Sequence, residues 1–241
     1  PGIRAIKRGG NVDHLRICSV PNLTLASFGV MLSLLCGSSL AATLEVTVTD
    51  AQGKPLANSI VVLRGENLTP IDTSTTEVNQ IANQFDPHVT VVHQHSAVIF
   101  PNLDQTRHQV YSFSNVKRFV TNLFAGREAD PVSFDNVGIV PVGCIIHDRM
   151  HAYIYVTDAP LFAVTNIDGI ARFDDLAIGE YQVEMLHPWQ QSPGSVTRDV
   201  RVRRAGRDLS IRESVGTIGS DPRESRRPVS NPLMRGNPFA R

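Results

Sequence analysis

The sequence predicts an all-β protein built as a sandwich, or as two. Three observations carry this expectation. Short segments alternate apolar and polar residues with period two, clusters of Gly, Pro, Asn and Asp separate them, and 41% of the residues are hydrophobic, enough for a packed core. Leu44 to Thr49 alternates and ends in the turn Asp50-Ala51-Gln52-Gly53. Leu56 to Leu63 reads as a second strand, and the Thr-rich stretch 66–76 as a loop. Val89 to Val92 and Ala97 to Phe100 flank a His-Gln-His turn, and His108 to Ser114 alternates again. Residues 117–131 fit a short helix or an irregular loop. Val137 to Val142 and Ala152 to Val156 flank the segment around Cys144. Phe162 to Thr165, the turn Asn166-Ile167-Asp168-Gly169, Ile170 to Phe173, and Tyr181 to Leu186 complete the strand signals. Residues 213–241 are rich in Pro, Ser, Gly and Arg and are expected to be disordered.

The 241 residues carry 23 basic and 23 acidic side chains, a net charge of zero. A dedicated nucleic-acid binder would be basic overall, so none is expected. The zero hides a contrast: residues 42–193 hold eight basic and seventeen acidic residues, and residues 194–241 hold eleven Arg and five acids. An acidic body favours a basic partner through long-range attraction.

Residues 1–41 have the make-up of an export signal. Arg4, Lys7, Arg8 and Arg16 precede an apolar run from Leu23 to Leu35, and Ser39-Leu40-Ala41 is an Ala-x-Ala-like cleavage site. The run is short for a bilayer span, so no integral membrane span is expected after cleavage. Cleavage removes Cys18 and Cys36 and leaves Cys144 as the one cysteine, which excludes an intramolecular disulfide. In an oxidising compartment a metal is the natural holder of such a thiol.

The chemistry concentrates in Gly143-Cys144-Ile145-Ile146-His147-Asp148-Arg149-Met150. Thiolate, imidazole and thioether at Cys-x2-His-x2-Met form a soft ligand set suited to copper, and zinc, the alternative metal, rarely takes Met. A strong Cu(II) site of this kind needs a second imidazole, and His108 at the start of a strand supplies it. Asn102 and Gln109 stand where they can hydrogen-bond the neighbouring backbone and fix the loops. His88, His93 and His95 are weaker candidates for a second metal and read more simply as residues of a polar turn. Asp168, Asp174 and Asp175 read as turn residues.

These residues resemble a cupredoxin over Phe85 to Val156. The resemblance rests on Phe85-x-Pro87, Val89-Thr90-Val91, Phe100-x-Asn102-x-Asp104, His108-x-Val110 and Cys144-x2-His147-x2-Met150. The short ligand loop is similar to that of amicyanin. With Val110-Tyr111-Ser112-Phe113-Ser114, the whole arrangement resembles bacterial periplasmic methylamine utilization proteins that carry a cupredoxin domain, although no residue here points to methylamine. The resemblance implies a cupredoxin Greek-key sandwich at 66–157. It also implies one type 1 copper, with His108 and His147 as nitrogen ligands, Cys144 as thiolate and Met150 as axial ligand. Gln109 and Arg149 depart from the pattern at positions beside the ligands.

Val46 to Leu56 and Thr165 to Tyr181 resemble the two halves of a carboxypeptidase regulatory-like, prealbumin-type sandwich. The implied organisation is a signal at 1–41, a discontinuous small sandwich at 42–65 plus 158–212, the copper domain at 66–157, and a basic tail at 213–241. The expected function is a periplasmic electron carrier serving another periplasmic redox protein. Copper delivery and a metal-free binding module are the alternatives. No catalysis is expected, because four protein ligands leave no open position for a substrate.

Overall fold

A computed structural model describes residues 42–69, 73–126, 130–203, 208–221 and 223. The export signal expected at 1–41 lies outside these residues, as do 224–241 of the expected tail. The described chain is all-β. In order the strands are β1 (Ala42–Thr49), β2 (Ile60–Gly65), β3 (Thr75–Glu77), β4 (Asn79–Ile81), β5 (Gln84–Asp86), β6 (Val89–His93), β7 (Ser96–Ile99), β8 (Val110–Phe113) and β9 (Arg118–Val120). They continue with β10 (Val132–Phe134), β11 (Gly138–Cys144), β12 (His147–Thr157), β13 (Leu161–Val164), β14 (Ile170–Leu176), β15 (Gly179–Leu186), β16 (Val196–Val202) and β17 (Leu209–Ser214).

The sheets run β14-β1-β17, β13-β2-β15-β16, β6-β12-β11-β8-β9 and β10-β7-β3, and β4-β5 is a separate hairpin. Three apolar layers bind the four sheets into a stack. Leu44, Val46 and Val48 of β1 face Val61 and Leu63 of β2 and Val183 and Met185 of β15. Val98 and Phe134 face Val140, Val142, Met150, Ala152 and Ile154 across a second core. Ile60 and Val62 of β2 meet Val89, Val91 and Tyr155 in a seam between the two sandwiches. Strand alternation explains the arrangement: β2 sends Val61 and Leu63 to one layer and Ile60 and Val62 to the other. A strand buried on both faces must read as an unbroken apolar run, and Ile60-Val61-Val62-Leu63 does, with all four at 0% exposure. β1 sends its apolar residues into one core only and alternates them with polar ones.

Side chains wire the turns. The Asp50 carboxylate accepts the N–H groups of Gln52 (2.9 Å) and Lys54 (2.8 Å). Asn166 accepts those of Asp168 (3.0 Å) and Ile170 (2.9 Å). Between them Gly169 has φ 73°, and a Cβ there would lie 2.6 Å from the Val48 carbonyl oxygen.

Three expectations are corrected. Residues 66–76 are not wholly loop, because Thr75 opens β3 and pairs in parallel with β7. The stretch 117–131 forms no helix among its described residues; Arg118–Val120 instead adds an edge strand beside β8. Residues 213–221 are ordered. β17 runs through Ser214 in parallel with β1, Val215 is buried, and the N–H groups of Gln191 and Gly219 donate to the carbonyls of Thr217 and Trp189 (2.9 and 2.8 Å). Main-chain hydrogen bonds to a ready sheet edge do not require an apolar composition, which is why composition misread this segment.

The Arg223 guanidinium lies 6.0 Å from the centre of the Trp189 ring, whose neighbours are His88 and His187. Burial, reinforced by the Arg223 charge, pushes the His88 pKa down to about 4. The unfolded chain takes up that proton near pH 6.5. Stability from neutral His88 is therefore complete above about pH 6.5 and is lost as pH falls toward about 4. Urea midpoints measured at intervals from pH 7 to pH 5 should fall with pH, and His88→Phe should flatten that slope. Leu63→Ala, at a fully buried site, should cost about 2–5 kcal/mol by the same measurement.

Candidate metal centre

β11 and β12 are joined by the two residues Ile145 and Ile146, which sets Cys144 directly opposite His147. The register shifts between Gly143 and Cys144, a bulge that turns the thiol at the end of the strand. Gly143 lets Tyr111 approach closely: a Cβ would stand 3.0 Å from that side chain, which would have to shift. Cys144 also pairs with Val110 of β8, and the Ile145 N–H donates to the Gln109 carbonyl (3.2 Å). The loop entering β8 is thereby drawn against the turn.

Asn102 and Phe124 fix that loop. Asn102 is 1% exposed, and its amide donates to the carbonyls of Thr106 (2.8 Å) and Phe124 (2.9 Å) while its oxygen accepts the Asp104 N–H (2.9 Å). His108 and Phe124 exchange both main-chain hydrogen bonds, at 2.9 and 3.0 Å. The Gln109 side chain donates to the Thr121 carbonyl (2.8 Å). His108 is left fully buried, with one edge toward Cys144.

Three donor atoms converge. His108 Nδ1 and His147 Nδ1 are 3.1 Å apart, and Cys144 Sγ lies 3.7 Å from the first and 3.6 Å from the second. A point in their plane lies about 2.0 Å from all three, close to the reach of imidazole and thiolate ligation. The group therefore fits a metal ion bound by two imidazoles and a thiolate. Cys144 is a free, buried thiol and His147 is partly exposed. Met150 is also fully buried, on the inward face of β12 in the same core as Cys144.

One contact was not singled out from the sequence. Asp104 Oδ2 lies 2.9 Å from His108 Nε2. The same carboxylate accepts the N–H groups of Ala82 (2.7 Å) and Asn83 (3.0 Å), which turn the β4–β5 hairpin at φ 52° and 57°. Burial works to raise the Asp104 pKa, but the hydrogen bonds from Asn83, His108 and Ala82 hold it below the usual carboxylate value. The four-residue spacing between Asp104 and His108 is the signal in the sequence that points to this pair.

The structure does not gather the weaker histidines. His88 packs on Tyr153 and Trp189, His93 packs at a tilt against Phe162, and His95 faces Asp135 at 3.4 Å. Among the described residues none of these belongs to the three-ligand group.

No family model matches the chain. No curated protein matches it either. Solved structures do. A reduced Cu(I) form of an amicyanin variant is 14% identical with a TM-score of 0.33, over 40% of this chain and 98% of that one. A purple cupredoxin from Nitrosopumilus maritimus is 16% identical with a TM-score of 0.31, over 34% of this chain and 99% of that one. A copper-containing nitrite reductase from Thermus scotoductus is 22% identical with a TM-score of 0.34, over 48% of this chain and 28% of that one. The last corrects one expectation, that of no catalysis: an enzyme stands among the structures similar to this chain. The physical reason is that the ligand set expected from the sequence bears on one site only and constrains no other part of the chain. No helix among the described residues is long and apolar enough to cross a membrane.

Asn102→Ala should strand two carbonyls and an N–H beside His108. A loss of about 1–3 kcal/mol is expected, read as a lower urea midpoint.

Proposed function

We propose that this chain is an exported electron carrier with one type 1 copper, acting in the periplasm on another redox protein. The observation that carries the reading is the buried triangle of two imidazole nitrogens and a thiol sulfur, sized for one ion. His108, Cys144 and His147 would hold copper, and Met150 would offer a thioether sulfur from the same core. Copper bound there supplies a one-electron couple between Cu(I) and Cu(II).

The chain's own residues do the rest. Asn102, Phe124 and the β11–β12 turn hold the three donors in place before any ion arrives, so little must move between oxidation states. Cys144 shares its core with Val142, Met150 and Ile154, apolar side chains that exclude water from that core. His147, partly exposed at the start of β12, gives the nearest approach to a partner. The export signal read at 1–41 supports the periplasmic assignment. The resemblance of 66–157 to the cupredoxin domain of periplasmic methylamine utilization proteins supports the carrier reading. The strands at 42–65 and 158–212 would form a prealbumin-type sandwich that supports the copper domain through the seam at Ile60, Val62 and Tyr155.

The test is a visible absorption titration with Cu(II). An intense band toward the red end, reaching a plateau at one copper per chain, is the expected result, and Cys144→Ser should abolish it. Copper uptake without that band, or no uptake, would overturn the type 1 assignment.

A further inference from the structure

We propose that Asp104 is the positioning residue of this centre: its carboxylate holds the proton of His108 on Nε2, keeps the Nδ1 lone pair turned to the metal, and strengthens that ring as a donor. The inference rests on the copper reading above and deepens it.

His108 is fully buried, so its Nε2 cannot take its hydrogen bond from bulk water. Asp104 Oδ2 stands 2.9 Å away. An ionised carboxylate only accepts hydrogen bonds, so the imidazole proton in this pair sits on Nε2. Nδ1 then carries a lone pair, and the 3.1 Å approach of the two Nδ1 atoms becomes an N–H of His147 donating to His108. Two bare nitrogens, or two protonated ones, would repel at that distance.

Asp104 is itself clamped. Ala82 and Asn83 donate to its two oxygens (2.7 and 3.0 Å), and its own N–H donates to Asn102 Oδ1 (2.9 Å). The carboxylate therefore cannot rotate away from the ring. Two left-handed non-glycine residues in succession are an unfavourable backbone, and the same carboxylate satisfies both of their N–H groups. One side chain thus ties the β4–β5 hairpin to a ligand on the far side of the loop. A negative partner on the outer nitrogen raises the basicity of the inner one, which favours Cu(II) over Cu(I) and lowers the reduction potential.

The experiment compares the wild-type protein with Asp104→Asn and Asp104→Ala, without copper and loaded with copper. In the metal-free protein at about pH 8, where a free imidazole is neutral, nitrogen NMR of the histidine rings reads the tautomer directly. His108 is expected as a single Nε2–H form in the wild type and as a mixture in Asp104→Ala. Asn keeps an acceptor but loses the charge, so Asp104→Asn should retain the tautomer and still raise the potential. Cu(II) affinity should fall about 10–100-fold in Asp104→Ala. Each tenfold loss not shared by Cu(I) raises the potential by 59 mV. A merely structural Asp104 would lower the urea midpoint and leave tautomer and potential unchanged, and that result would overturn the proposal. If the wild type takes up no copper the carrier reading fails, while the metal-free tautomer measurement still decides what Asp104 does to His108.

Discussion

β12 buries one face from Met150 onward and both faces over Ile154–Thr157, and the rest of the molecule is arranged around that constraint. Met150, Ala152, Ile154 and Val156 point into one core, while Tyr155 and Tyr153 point into or against the seam with the other sandwich. A slip of one residue would exchange the two sets, bringing Arg149 or His151 to the place of Met150 and the rings of Tyr153 and Tyr155 into the core that holds Cys144. The ladder with β11 on one side and β6 on the other holds the register. The copper-type ligand set, the inner packing and the attachment of the second sandwich therefore depend on one alignment.

The ligand triangle is held from several independent directions. Cys144 and His147 are bound to each other by a two-residue turn, and His108 arrives on a different strand, steadied by Asn102 and by Phe124. Each of these is a hydrogen-bonded, largely buried support, and none needs the metal to be present. Such an arrangement would suit the one-electron site proposed above, because a scaffold that does not relax costs little when an ion changes charge. Asp104 would add an electronic contribution to the geometric one in the proposal above, since it faces the one ring nitrogen that points away from the triangle.

Legibility in the sequence followed the range of the interactions. The strand alternation of Leu44-Glu45-Val46-Thr47-Val48 and the continuous run Ile60 to Leu63 state locally which side chains enter a core, and the structure agrees, although Thr47 on the polar side is covered too. Cys144, His147 and Met150 lie within seven residues, so their grouping was visible as a pattern. Strand β17 was not visible, because it is mostly polar and its order comes from main-chain pairing with β1, where Leu209 lies opposite Leu44. The edge strand Arg118–Val120 was missed for a similar reason: three residues beside β8 leave no periodicity to read.

The chain by itself determined which side chains can bind a soft metal, which segments are strands, and which face of each is apolar, because all three are properties of near neighbours. Only the tertiary structure decided that His108 meets Cys144 across 36 residues, that Asp104 reaches both its ring and the turn at Ala82 and Asn83, and that two sandwiches share the seam at Val62 and Tyr155. Periodicity specifies the direction in which a side chain points, and the packing of sheets specifies what it meets there.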